Sequence, residues 1–135
     1  MSYASRAYSN NQAETDVSSA NSNDLILLVY ERVFDNLRQG KREIEEGKYG
    51  IHFFSKASDL IHHGLLAALD HNKGGDISRN LDKIYKWALQ EIIHARAEKS
   101  SQRIQDVIDT LTPLYEAWAQ IIPSRNQVIT PLSLI

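Results

Sequence analysis

The chain has 135 residues, 42% of them hydrophobic and 24% charged, with a formal net charge of −2. That is the composition of one globular domain with its own core. Without a basic excess it offers no dedicated nucleic-acid surface. The absence of cysteine excludes disulfides, thiolate metal sites and a cysteine nucleophile.

Residues 1–22 are rich in Ser, Asn and Ala and hold few sizeable apolar groups, among them Tyr3, Tyr8 and Val17. Such a segment buries too little apolar surface to offset its ordering entropy, so it reads as a flexible arm whose tyrosines can still dock on the body. It has no apolar h-region of a signal peptide. The longest apolar run, Leu25 to Tyr30, is far too short to cross a membrane. A cytoplasmic location without stable membrane insertion is the expectation.

Four helices are predicted within a bundle at 23–122, over 23–46, 50–71, 76–98 and 101–122, followed by a tail at 123–135. The first begins at the capping cluster Ser22-Asn23-Asp24 and turns Ile26, Tyr30, Val33, Leu37 and Ile44 inward, with Gly40 between them. Leu25, Leu27, Leu28 and Phe34 fall off that stripe, so the first two turns are apolar nearly all round and need cover on more than one side.

Glu45 to Gly50 is a link. The second helix carries Ile51, Phe54, Ser58, Ile61, Leu65, Ala68 and Leu69 inward, with Phe53, Ala57, Leu60 and Gly64 on a flank. Gly74-Gly75 is a turn signal. Asp76 is the expected cap of the third helix, and Ile77, Leu81, Ile84, Ala88, Ile92 and Ala95 its inward face, with Tyr85, Leu89 and Ile93 flanking.

After a polar link at Glu98 to Ser101, the fourth helix presents Ile104, Val107, Ile108, Leu111, Leu114, Trp118 and Ile121. Pro113 predicts a kink in it, and Pro123 ends it. Helices of about 20 residues with short links favour an all-α, antiparallel up-down-up-down four-helix bundle.

Glu91-Ile92-Ile93-His94 has the Glu-x-x-His spacing of carboxylate-bridged metal bundles, and Asp59-Leu60-Ile61-His62 is a near copy. Such sites need all their ligands pointing inward, whereas His94 and Asp59 each lie about 120° from their inward stripes at about 100° per residue. They read as surface groups, and no metal or other cofactor is expected. His71-Asn72-Lys73-Gly74 resembles a histidine-phosphotransfer motif, with the Lys and Gly one residue early. Its plainer reading is a helix C-terminus, where His and Lys face the negative end of the dipole. No serine or histidine is marked as activated, so the chain reads as a non-enzyme. What stands out is apolar surplus: Leu25, Leu27, Leu28, Phe53, Leu60, Tyr85, Leu89 and Ile93 exceed one seam per helix. Either the core is broad or a groove between helices receives a partner helix.

Several stretches, in order, resemble the flagellin export chaperone family, FliS. They are Ala7-Tyr8 in the arm, Asp24-Leu25-Ile26-Leu27-Leu28-Val29-Tyr30-Glu31, Lys56-Ala57 and Leu69-Asp70, then Gly74-Gly75-Asp76-Ile77-Ser78-Arg79-Asn80-Leu81-Asp82-Lys83-Ile84-Tyr85, and Leu114-Tyr115-Glu116-Ala117-Trp118. Together they span about residues 7 to 120. Val29, Glu31-Arg32, Ala95-Arg96 and Pro113 depart from the family pattern. The resemblance implies a cytoplasmic chaperone that binds the disordered C-terminal segment of newly made flagellin in apolar grooves. It also implies that the chaperone prevents premature polymerisation and supports delivery to a component of the flagellar type III export gate. It places Leu25, Leu28, Asn80, Leu81, Ile84 and Tyr85 near the flagellin groove, and Tyr8 in an arm that covers the groove until flagellin displaces it. A docking module for another partner, a metal-binding bundle and a phosphotransfer bundle are the alternatives. Oligomeric state stays open, with a weak homodimer among the options.

Overall fold

The computed structural model describes residues 22–121. The arm with Tyr8 and the tail from residue 122 lie outside the described residues. Four helical elements follow one another: α1 (Ser22–Glu45), α2 (Ile51–Asp59, continued by a π-helical segment Leu60–Leu66), α3 (His71–Glu98) and α4 (Ser101–Ile121). The expected all-α bundle is the fold. α1 packs against α2 and α4, and α3 packs against α2 and α4, so α1 and α3 face each other across the diagonal.

The inward faces follow the helical period, with two shifts. On α1, Tyr30, Val33, Phe34, Leu37 and Ile44 are buried. Leu27 is fully buried as well, in a cluster with Ala119 of α4 flanked by Tyr115 and Trp118. This is the second side of cover that the all-round apolar start of α1 requires. On α3 the buried row is Ser78, Leu81, Tyr85, Ala88, Ile92 and Ala95. Ile77, expected inside, is 70% exposed, and Tyr85, expected on the flank, is 2% exposed. The buried row starts one residue later than expected, at Ser78, a polar residue that a count of apolar positions from Ile77 passes over. The helix also begins earlier than expected, because a different residue caps it.

That residue is Asp70. Its backbone is extended (φ −104, ψ 97) and its carboxylate accepts from the backbone N–H of Asn72 and Lys73, as an N-cap does. The chain therefore turns helical at His71, before the Gly-Gly pair, and His71 and Lys73 stand at a helix N-terminus rather than at the C-terminus expected of them. Gly75 then breaks the helix at φ 54, ψ −127, a region open to glycine because it lacks a Cβ. Ser78 ties the two pieces by donating to the Asp70 carbonyl at 3.0 Å. Asp76, the expected cap, instead pairs with Arg79.

The opposite end of the bundle is closed by contact between its two links. The Lys99 ammonium donates to the Gly47 carbonyl at 3.2 Å and lies 3.9 Å from the centre of the Tyr49 ring. Along the α3–α4 seam, Arg103 bonds both Glu98 and Glu91 at 3.0 Å, and the two carboxylates raise its pKa. α4 runs through Pro113, which lies on an exposed face where water can reach the Asp109 carbonyl that proline leaves without a donor. α1 and α2 approach closely over the Phe54 ring, which sits between two glycines: a Cβ at Gly40 would fall 2.3 Å from it, and one at Gly50 2.7 Å.

Phe54 is fully buried and sits against both glycines. Gly40→Ala is therefore expected to destabilise the fold by about 1–3 kcal/mol, the usual cost of overpacking. Adding Phe54→Leu should recover part of that loss. Urea unfolding of the two variants checks it.

Candidate functional site

The antiparallel order brings the start of α1, the end of α2, the start of α3 and the end of α4 to one end of the bundle. There they enclose a cleft of about 680 Å³. Leu25, Ile26 and Val29 form one wall, Gly64, Leu65 and Ala67 to Leu69 a second, Lys73, Gly74, Ser78 and Leu81 a third, and Tyr85 with Trp118 lie at the base.

The cleft exists because the residues that should fill it are short. Gly64, Ala67, Ala68, Gly74 and Ser78 line it where larger side chains would close it. The end of α2 also departs from α-helical winding: the Ala67 N–H reaches back five residues to the His62 carbonyl at 3.2 Å. Such wide π turns insert an extra residue into a helix and recur at functional sites. Here the widened turn carries Gly64 and Leu65 to the cleft wall. His63 reaches the rim with its Nδ1 3.4 Å from that of His62.

The base is polar in one place. The Tyr30 and Tyr85 hydroxyls share a buried hydrogen bond of 2.5 Å, which joins α1 to α3 across the diagonal. Burial pushes both phenols above the usual tyrosine range, the Tyr85 charge adding to the shift at Tyr30 and hydrogen bonding from Trp118 opposing it at both. Tyr30 also meets Phe34 and Tyr115 at ring-centre distances of 6.2 and 6.1 Å. Tyr115 donates to Glu31 at 2.7 Å. The floor is thus held by an aromatic cluster in fixed geometry.

The site residues expected from sequence divide. Leu25, Leu81 and Tyr85 come together on the cleft. Leu28 is half-buried and packs on the core beside it. Ile84 lies apart, in a shallow hollow with Lys83, Trp87 and Thr110, and Asn80 is exposed. Ile26, Val29, Leu65, Leu69, Ser78 and Trp118 line the cleft without having been expected there: Ile26, Leu65, Leu69 and Trp118 lie on inward stripes and read as core, and Val29 and Ser78 fall on no stripe. The signal that could have found the cleft is the run of small residues before and after Asp70.

Among the described residues no three His, Asp or Glu side chains gather as metal ligands. Glu91 of the Glu-x-x-His spacing is held by Arg103, and His94 is exposed. No helix among the described residues is long and apolar enough to cross a membrane.

Removing one hydroxyl of the tyrosine pair leaves the other buried without that partner. Tyr85→Phe should cost about 1–3 kcal/mol, and the Tyr30→Phe/Tyr85→Phe double variant less than the sum of the singles. Because burial raises both pKa values, their protonated forms contribute full stability below about pH 10, and that contribution falls as pH rises past the tyrosine pKa of the unfolded chain. Urea midpoints at about pH 8 and about pH 10.5 should show a smaller alkaline loss in the double variant than in the wild type.

The chain is similar in sequence to known proteins over nearly all its length. The model of the family described as "Flagellar protein FliS" matches residues 4–125. The flagellar secretion chaperone FliS of Salmonella typhimurium is 32% identical over 123 residues, covering 90% of this chain and 91% of that one. The flagellar secretion chaperone FliS of Vibrio cholerae is 28% identical over 125 residues, covering 91% of each. That of Campylobacter jejuni is 30% identical over 123 residues, covering 87% of this chain and 90% of the relative. With a match of this extent on a four-helix bundle, the chain belongs to the FliS family of flagellar secretion chaperones.

Proposed function

We propose that this chain is a cytoplasmic chaperone for flagellin. It holds the disordered C-terminal segment of the newly made protein, prevents its polymerisation and supports its delivery to the flagellar type III export apparatus. The observation that carries this reading is the apolar cleft of about 680 Å³ at one end of the bundle, on a chain whose relatives are named flagellar secretion chaperones.

A segment that assembles through amphipathic helices must have its apolar face covered to stay unassembled. Leu25, Ile26, Val29, Leu65, Leu69 and Leu81 offer a substitute face of the helix-in-groove type. The ligand orders only on binding, so part of the contact energy is consumed by its lost entropy. The complex is then specific and still releasable. Leu25, Leu81 and Tyr85 contact the segment inside the cleft, with Leu28 beside it. Asn80 and Ile84 extend the contact along the outer edge of α3, where the Asn80 amide can bond ligand backbone. The arm covers the groove through Tyr8 in the free state. The role is binding and release, with no catalytic step.

Calorimetric titration with the C-terminal segment of flagellin from the same source tests this. Submicromolar binding with a large negative heat-capacity change is expected, as coupled folding onto an apolar groove gives. Leu25→Ala should weaken it about tenfold, or about 1.4 kcal/mol. A well-folded chain that does not bind the segment would contradict the reading. Deleting Met1 to Asn23 should raise the association rate, and an unchanged rate would remove the covering role of Tyr8.

A further inference from the structure

A second apolar hollow lies at the other end of the molecule. Tyr49 in the first link, Ile51 at the start of α2, and Ile93, Arg96 and Ala97 in the last turns of α3 line a recess of about 300 Å³. From Ser78 in the cleft to Ile93 in this recess α3 climbs about 22 Å at 1.5 Å per residue. A ligand in one does not reach the other by contact with a single side chain.

Three of its residues are large, apolar and exposed: Tyr49 at 58%, Ile51 at 55% and Ile93 at 62%. They make up most of the large exposed hydrophobic groups among the described residues, and they sit together. Contiguous apolar patches of this kind mark interaction sites, whereas scattered ones need no account. The recess is also held in shape before any partner arrives. The Lys99 ammonium lies against the Tyr49 ring at 3.9 Å and is itself bonded to the Gly47 carbonyl. Gly50, in left-handed conformation at φ 66, sets the turn between Tyr49 and Ile51. A fixed aromatic loses little entropy on contact.

Charge decides what fits. Arg96 is half-buried in this wall, yet its guanidinium makes no hydrogen bond or ion pair with any described residue. The carboxylates nearest along the chain are engaged elsewhere: Glu98 with Arg103, Glu46 with Lys48, and Glu45 with Lys41. An apolar recess flanked by a half-buried arginine whose guanidinium bonds no described residue is complementary to an aliphatic side chain with a carboxylate next to it. Tyr, Ile and Arg are also the residue types that supply the anchors of interfaces.

We infer that the recess between Tyr49, Ile51, Ile93 and Arg96 is a docking site for a second protein, separate from the cleft, and that it takes a segment presenting an aliphatic side chain beside an Asp or Glu. The segment seats its aliphatic group between Ile51 and Ile93, and its carboxylate takes the two forked N–H donors of Arg96. Because the recess and the cleft lie at opposite ends of the bundle, a ligand in one leaves the other open.

The test is selection of phage-displayed twelve-residue peptides on the full chain, with counter-selection on the exposed-site variant Ile93→Asp, whose helical circular dichroism is first matched to the wild type. Enriched peptides should share an aliphatic residue with an acidic one within a helical turn. Their binding should fall at least tenfold on Ile93→Asp and on Arg96→Gln. Selection on Arg96→Glu should return basic residues at the acidic position. Enrichment indifferent to Ile93, or peptides without a conserved acid, would overturn the inference. So would concentration-dependent self-association of the wild type that Ile93→Asp abolishes, because the recess would then serve a second copy of this chain.

Discussion

A hydrogen bond between two tyrosine hydroxyls, across the diagonal of the bundle, sets the rest of the architecture. In a four-helix bundle the diagonal pair is held apart by the other two helices, and only long side chains meet there. Tyr30 and Tyr85 span the gap end to end. Below them the core is filled by Val33, Leu37, Phe54, Ile61, Ile92, Ile104 and Leu111, each fully buried. Above them the opening is lined by the short side chains of Gly64, Ala67 and Ala68 at the end of α2 and of Gly74 and Ser78 at the start of α3. The tyrosine pair is therefore the boundary between a packed core and an open cleft. Burying two hydroxyls is costly unless they satisfy each other, and their mutual bond lets the core end there without an unpaired group.

Two backbone irregularities place the walls of this opening. The π segment Leu60–Leu66 widens the last turns of α2, and the break at Gly75 lets the first turn of α3 fold back under Asp70. Each costs some regularity, and both lie at the cleft end. Neither occurs at the far end, where Lys99 bridges the links. The molecule thus concentrates its departures from ideal helix where a ligand is proposed to enter. Functional sites are the expected place for such departures.

How much of this could be read from the sequence follows from what each signal encodes. Helix number and antiparallel order rest on long apolar periods and short links, and both were readable. The all-round apolar start of α1 signalled more than one contact face: Leu27 is covered by α4, while Leu25 and Ile26 line the open cleft. Tyr85 was placed on the flank because the inward row was counted from Ile77, whereas the buried row starts at the polar Ser78. The first turn of α3 starts instead at Asp70, whose capping side chain looks like any other aspartate before a polar stretch. For the same reason His71 and Lys73 were assigned to the wrong helix end. The cleft was only half readable. Periodicity reports which residues point inward, and it is silent on whether opposing residues are long enough to meet. Leu65, Leu69 and Trp118 therefore looked like core.

The central claim is that flagellin's C-terminal segment occupies the space above the tyrosine pair. Hydrogen exchange followed by mass spectrometry, on the full chain with and without that segment, tests it most directly. The account predicts new protection in peptides covering 25–30, 63–70 and 73–85, with exchange at 49–51 and 93–97 unchanged. Protection confined to 49–51 and 93–97, or spread evenly over all four helices, would contradict it.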